Sequence, residues 1–124
     1  MANELKWEGG VRGQIIGYSL AEMKSGSVAL NVKVQIFDYY DAGVEAWVDC
    51  RENDYEAEGA FWVVKKDGTL SHDQIRAVVE HCGWDANFES ITNKTWKPTP
   101  ASFTSQEDRY QEQVRYRLSF PAAF

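Results

Sequence analysis

Residues 58–85 read EGAFWVVKKDGTLSHDQIRAVVEHCGWD, and this stretch decides the fold. GAFWVV is a continuous apolar run rich in β-formers, which predicts a strand covered on both faces. KKDG closes it with turn chemistry. Ser71 then stands where a helix N-cap belongs, and Gln74 three residues on completes a capping box. Leu70 before the cap and Ile75 inside it suit a hydrophobic staple. Ile75, Val78, Val79 and Cys82 fall at i, i+3, i+4 and i+7, a single apolar stripe. Gly83 is the expected residue just past the helix end. One short helix, packing one side onto a sheet, is predicted in the middle of the chain.

The chain around it reads as strands. In SVALNVKVQIF, Val28, Leu30, Val32, Val34 and Ile36 share one side, and Asn31, Lys33, Gln35 and Phe37 the other, so this is a half-exposed strand. GGVRGQIIGYSL (residues 9–20) places Gly13 and Gly17 among large residues, the pattern of a strongly bent strand. MKSGS separates the two. VEAWVDC alternates and fits a further short strand, while its acidic flanks read as a solvated loop or an edge hairpin. WDANFESITNKTWKPTP reads as a loop with one helical turn at Asn87 to Ile91, and its prolines place the next strand at or after Pro100. ASFTS is that strand, QEDRYQ a turn, and VRYRLSF the last strand, with Val114, Tyr116, Leu118 and Phe120 on one side and Arg115, Arg117 and Ser119 on the other.

Three strands, a helix and two strands make the chain mainly β. This is the order of the OB-fold, a five-stranded Greek-key β-barrel with its helix between strands three and four. A bent, glycine-containing first strand suits it, because closing a small barrel needs one strand to curl between two sheets. A twisted open sheet with a helix on one face, or a β-sandwich with an added helix, has the same element order. The length of 124 residues fits a single domain, 1–124.

Charge narrows the function classes. The net charge is -6, which disfavours nonspecific duplex binding by phosphate neutralisation. The excess is local. Asp38, Asp41, Glu45, Asp49, Glu52, Asp54, Glu56 and Glu58 face only Arg51, while the C-terminal thirty residues lean basic. Such a block of like charge reads as a solvated face. No nucleophile elbow, phosphate-cradling glycine loop or zinc spacing is present, so no catalysis, cofactor or metal is expected. Two cysteines without a secretory h-region predict free thiols in a cytoplasmic protein with no membrane segment.

The blocks EGAFWVVKKDGTL, GWD, TWKPTP and RYRLSF, in that order, resemble a group of phage and planctomycete-type proteins that look like OB-fold single-stranded-DNA-binding proteins. The resemblance spans roughly Val11 to Phe120. It implies a non-catalytic single-stranded DNA-binding role in phage or prophage replication or recombination. The chain ends FPAAF instead of in an acidic tail closing on Pro-Phe, so tail-mediated recruitment of partners is not expected.

Single-strand binding requires a groove with positive charge and planar groups for base stacking. In an OB barrel the groove crosses strands two and three between the loops joining strands one to two and four to five. Parity places Arg12, Gln14 and Tyr18 outward on the first strand, Lys33 and Phe37 on the second, and Arg115 and Arg117 on the fifth. Lys24 falls in the first bordering loop, Arg109 and Tyr110 in the second, and Trp62 is a further stacking candidate. Trp84 and Trp96 read as packing residues. Two other classes compete. The acidic 38–58 segment, interleaved with Tyr39, Tyr40, Trp47 and Tyr55, would suit a basic protein partner or a DNA mimic. Free strand edges would suit a homo-oligomer.

Overall fold

The computed structural model describes residues 3–120 apart from the side chain of Tyr110, so most of the FPAAF ending lies outside the described residues. Its elements are β1 (Asn3–Glu4), β2 (Gly9–Glu22), β3 (Val28–Asp41), β4 (Ala46–Asp49), a 3-10 turn (Arg51–Asn53), β5 (Tyr55–Val64), α1 (His72–Cys82), α2 (Phe88–Thr92), β6 (Ala101–Tyr110) and β7 (Gln113–Ser119). The fold is mainly β. All seven strands form one sheet in the order β1-β5-β7-β6-β2-β3-β4, and a further pairing of β5 with β3 closes a ring of five: β2, β3, β5, β7 and β6. Ring pairings are antiparallel except β5 with β7, which run parallel through Glu58↔Arg117 and Gly59↔Leu118. β1 and β4 are additions outside the ring, on β5 and β3 respectively.

The alternation in β3 sets the inside of the ring. Leu30, Val32, Val34 and Ile36 are buried, while Asn31 and Lys33 are exposed. β5 corrects one expectation. Ala57, Phe61 and Val63 are buried, but Trp62 is 47% exposed, so the apolar run is covered on one face only. A ring strand has one wall against the core and one outside, and here the outer wall carries Ala60 and Trp62.

β2 bends through two register shifts against β3, one between Arg12 and Gly13 and one between Ile15 and Gly17. Each inserts an extra residue and increases the local twist. Only glycine fits at the first: a Cβ on Gly13 would lie 2.2 Å from the Gln35 carbonyl oxygen. At the second, Ile16 is the extra residue and turns outward, 51% exposed.

α1 buries Val78 and Cys82, with Ile75 and Val79 packed at the margin of the core. Gly83 ends it in the left-handed region at φ 71°, and its N–H donates to the Val79 carbonyl. The start differs from expectation. Ser71 makes no side-chain cap bond. Its backbone N–H donates to Val63 O, and Leu70 bridges to Val64 while staying exposed. The return of the chain along β5 fixes where the helix begins, so neither capping box nor staple is required.

The expected helical turn is α2, capped by Asn87, whose Oδ1 accepts from the Glu89 N–H at 3.0 Å. Asn87→Ala should cost about 1 kcal/mol. A shifted urea midpoint at constant slope would show it, and an unmoved midpoint would show the cap to be dispensable. Cys50 and Cys82 are both buried and free, as the sequence predicts. Burial pushes the Cys82 thiol up to about 12. No helix among the described residues is long and apolar enough to cross a membrane.

The C-terminal hairpin is longer than its sequence indicates. β6 continues through Gln106–Tyr110, a stretch that reads as a turn, and pairs with β7 as far as Tyr110↔Gln113. The turn is only Gln111 and Glu112, at φ 49° and 67°. Positive φ at both central residues is what a type I′ hairpin turn requires, usually met by Asn-Gly. β5 pairs with β7 only at Arg117 and Leu118, so the outer part of the hairpin projects from the ring as an arm.

Candidate functional site

The outward side chains of β5 alternate as Glu56, Glu58, Ala60 and Trp62, a row of roughly 20 Å at about 3.3 Å per residue. Neighbouring strands supply the walls in fixed register. β3 places Lys33 opposite Glu58, Asn31 opposite Ala60 and Ala29 opposite Trp62. β7 places Arg117 beside Glu58 on the other side.

Three clefts join along this row. The first, about 610 Å³, lies between β1 and the arm and is lined by Lys33, Glu56, Glu58, Arg115, Tyr116 and Arg117 among others. The second, about 400 Å³, shares Lys33, Glu58 and Arg117 with it and continues past Asn31 and Ala60. The third, about 450 Å³, shares Ala60 and ends at Trp62, Lys65 and the first turns of α1. The charged lining residues of this track are Lys33, Lys65, Arg115 and Arg117 against Glu4, Glu56 and Glu58. That is a slight positive balance on a chain of net charge -6. Lys33 pairs with Glu56 at 3.8 Å, and Arg117 with Asp108 of the arm at 3.3 Å. Arg115 donates to Gln113 Oε1 at 3.2 Å. These are exposed contacts, in which water and salt compete effectively.

Of the residues named from sequence, Lys33, Trp62, Arg115 and Arg117 meet on this track, and Tyr18 borders its second cleft. Tyr18 does not get there by the expected parity. The extra residue Ile16 reverses the parity of β2, so Tyr18 stands opposite inward-facing Val32. It packs against Trp96 with ring centroids 4.9 Å apart and donates its hydroxyl hydrogen to Trp96 O at 2.8 Å. The Lys94 ammonium lies 4.8 Å from its ring centre. Tyr18 is thus partly buried, with its ring against Trp96, where it borders the second cleft.

Arg12 and Phe37 line a separate cleft with Arg51, Glu80 and His81. Arg12 faces outward, as parity predicts, but its guanidinium is bound to Asp38 and lies 4.0 Å from the Trp47 ring centre. The bond to Asp38 raises its pKa further. Phe37 lies under Arg51, at 4.6 Å. Lys24 is exposed in the turn between β2 and β3. Arg109 sits on β6, not in a loop, and pairs with Glu107 at 2.6 Å. Tyr110 ends β6, and its side chain lies outside the described residues.

Two residues of the track escape a reading of the sequence. Parity puts Tyr116 on the opposite side of its strand from Arg115 and Arg117, yet the residue borders the first cleft, because that part of β7 has left the ring of strands. Glu58 merges into the acidic block, and only register shows it between two cations. The exposed remainder of that block, with Glu45, Asp49 and Glu52, lies on the β3–β4 hairpin and the turn after it. Among the described residues no group of three or more His, Cys, Asp or Glu could hold a metal ion. A scan against protein-family models finds no match, and a search of curated proteins finds none.

Proposed function

We propose that this chain is an OB-fold barrel that binds single-stranded DNA, without catalysis, along the outer face of β5. The resemblance noted in the sequence supports a role in phage or prophage replication or recombination. The ring order supports the fold reading. Numbered from β2, the ring strands run 1-2-3-5-4 and return to 1, with strands three and five parallel and α1 between strands three and four. Such an order is consistent with the Greek-key connectivity of a small closed barrel.

The observation that carries the functional reading is the convergence of Lys33, Arg115 and Arg117 with Trp62 along three clefts that share lining residues. Cations follow a backbone, and each base stacked on an aromatic ring contributes about 1–3 kcal/mol. The balanced charge of the track predicts modest affinity that falls as salt rises. Titrating a mixed-sequence twenty-nucleotide strand while following tryptophan fluorescence tests this. Quenching is expected, because Trp62 is exposed, and the logarithm of affinity should fall with log salt by about 0.7 per phosphate contacted. Absence of binding at every salt concentration would overturn the reading.

One observation favours a second reading. The terminal strand β4 and its hairpin expose Tyr40, Val44 and Trp47 beside Glu45 and Asp49. That surface would suit a basic protein partner or a DNA-mimicking role, and absence of DNA binding would shift the assignment to it.

A further inference from the structure

Glu58 has an unusual position in the track. It is exposed, and in register it stands between Lys33 on β3 and Arg117 on β7. Both cations are drawn elsewhere, Lys33 to Glu56 and Arg117 to Asp108. The Glu58 carboxylate itself makes no hydrogen bond or ion pair with any described residue. It also lines both of the first two clefts, at the centre of the track. An ionised carboxylate is acceptor-only. Beside a polyanion it repels phosphate unless the ligand brings N–H donors to it.

We propose that Glu58, with its two flanking cations, reads guanine in the bound single strand; this rests on the single-strand reading above. The Watson–Crick edge of guanine carries a carbonyl acceptor, O6, followed by two adjacent donors, N1–H and the N2 amino group. A carboxylate takes both donors in a bidentate pair, and a cation beside it donates to O6. Strands lie about 4.8 Å apart, so the acceptor on β5 has a cation on each side within the span of one base edge. Thymine offers one N–H between two carbonyls, which places a carbonyl against a carboxylate oxygen. Adenine and cytosine offer an amino group beside a ring-nitrogen acceptor. In a duplex this edge is occupied by the partner base, so the contact is open only to an unpaired strand.

The test compares three twelve-nucleotide strands by fluorescence anisotropy at low salt: all thymine, thymine with one central guanine, and the same with hypoxanthine, which lacks the N2 amino group. The guanine strand should bind on the order of tenfold more tightly than all-thymine, with hypoxanthine between them. In Glu58→Ala the ratio of guanine-strand to all-thymine affinity should fall from about tenfold to about one, whatever the change in all-thymine binding. Circular dichroism checks that the variant folds, and Glu58→Gln replaces it if it does not. If Glu58→Ala tightens both strands by the same factor, the carboxylate only repels phosphate and the inference is wrong. Equal binding of the three strands by the unaltered protein overturns it too, while leaving single-strand binding intact. Binding of none of them overturns the functional reading as well.

Discussion

Trp84→Ala should destabilise the protein by about 3–5 kcal/mol, because it deletes one of the largest side chains of the core and leaves a cavity. Trp84 is 2% exposed. It follows the left-handed Gly83, which turns the chain sharply enough to bring the indole back against the core. There its Nε1–H donates to Ser90 Oγ at 3.1 Å and to Asn87 O at 3.2 Å. Its ring meets Phe88 edge-on at 5.4 Å and Trp96 at 6.3 Å. One side chain thus ties the exit of α1, the whole of α2 and the segment leading to β6 into a single packed unit. A domain of this size has about 5–15 kcal/mol in total, so the variant should sit near the edge of folding. Its melting temperature should fall by roughly 12–19 °C. Trp84→Phe keeps a ring in the site and loses the donor, so its loss should be smaller. A loss below about 1 kcal/mol for alanine, in urea unfolding, would mean that α2 packs independently of the indole.

The same segment shows what the sequence could reveal. The stripe through Ile75 and Cys82, the glycine stop after it and the packing role of Trp84 are local patterns, and each is found where its period or spacing places it. The alternation of β3 is equally legible because one face meets a core and the other meets water. The arm is the opposite case. Gln106–Tyr110 has no core on either face once β6 leaves the ring, so it carries no apolar alternation and reads as a turn. What holds it is the backbone ladder between β6 and β7, with Asp108 opposite Arg115 and Arg117 reaching Asp108 as minor cross-strand charge pairs. Its actual turn, Gln111-Glu112, lacks the residues that ordinarily announce positive φ. β1 is two residues long and polar, below any pattern length.

The site is legible only as far as strand parity persists. Lys33, Arg115 and Arg117 lie where the strand register is regular, and Trp62 lies just before a shift between Ala29 and Val28, so parity still holds for all four and they converge. Tyr18 lies beyond an extra residue, and one inserted residue moves every later side chain to the other face. Nothing in GQIIGYS marks Ile16 as the extra one; the bend of the strand is visible there, but not which residue absorbs it. Arg12 keeps its face and still misses the track, because Asp38 binds it across the strand pair in another cleft.

Replacing Arg115 and Arg117 together by glutamate should reduce single-strand affinity by at least about a hundredfold at low salt, and flatten its salt dependence by about 1.4 in slope. The arithmetic follows from counterion release: each phosphate contact on a single strand contributes about 0.7 to the slope, and two contacts are removed. Reversal exceeds removal in effect. A carboxylate in place of the Arg117 guanidinium would stand beside Glu58 and Asp108, turning a slightly positive track strongly negative. Folding should be little affected. Both side chains are exposed, and neither belongs to the core. Loss of the Arg117–Asp108 pair at the surface is a small term. Arg12→Glu provides the internal contrast: Arg12 lies in a different cleft and is already neutralised by Asp38, so its reversal should change oligonucleotide affinity far less. Anisotropy titrations of the double and single variants at several salt concentrations decide it. Unchanged affinity in the double variant would remove β5 and the arm as the binding face, and a larger loss in Arg12→Glu would move the face to the cleft between β2, β3 and α1.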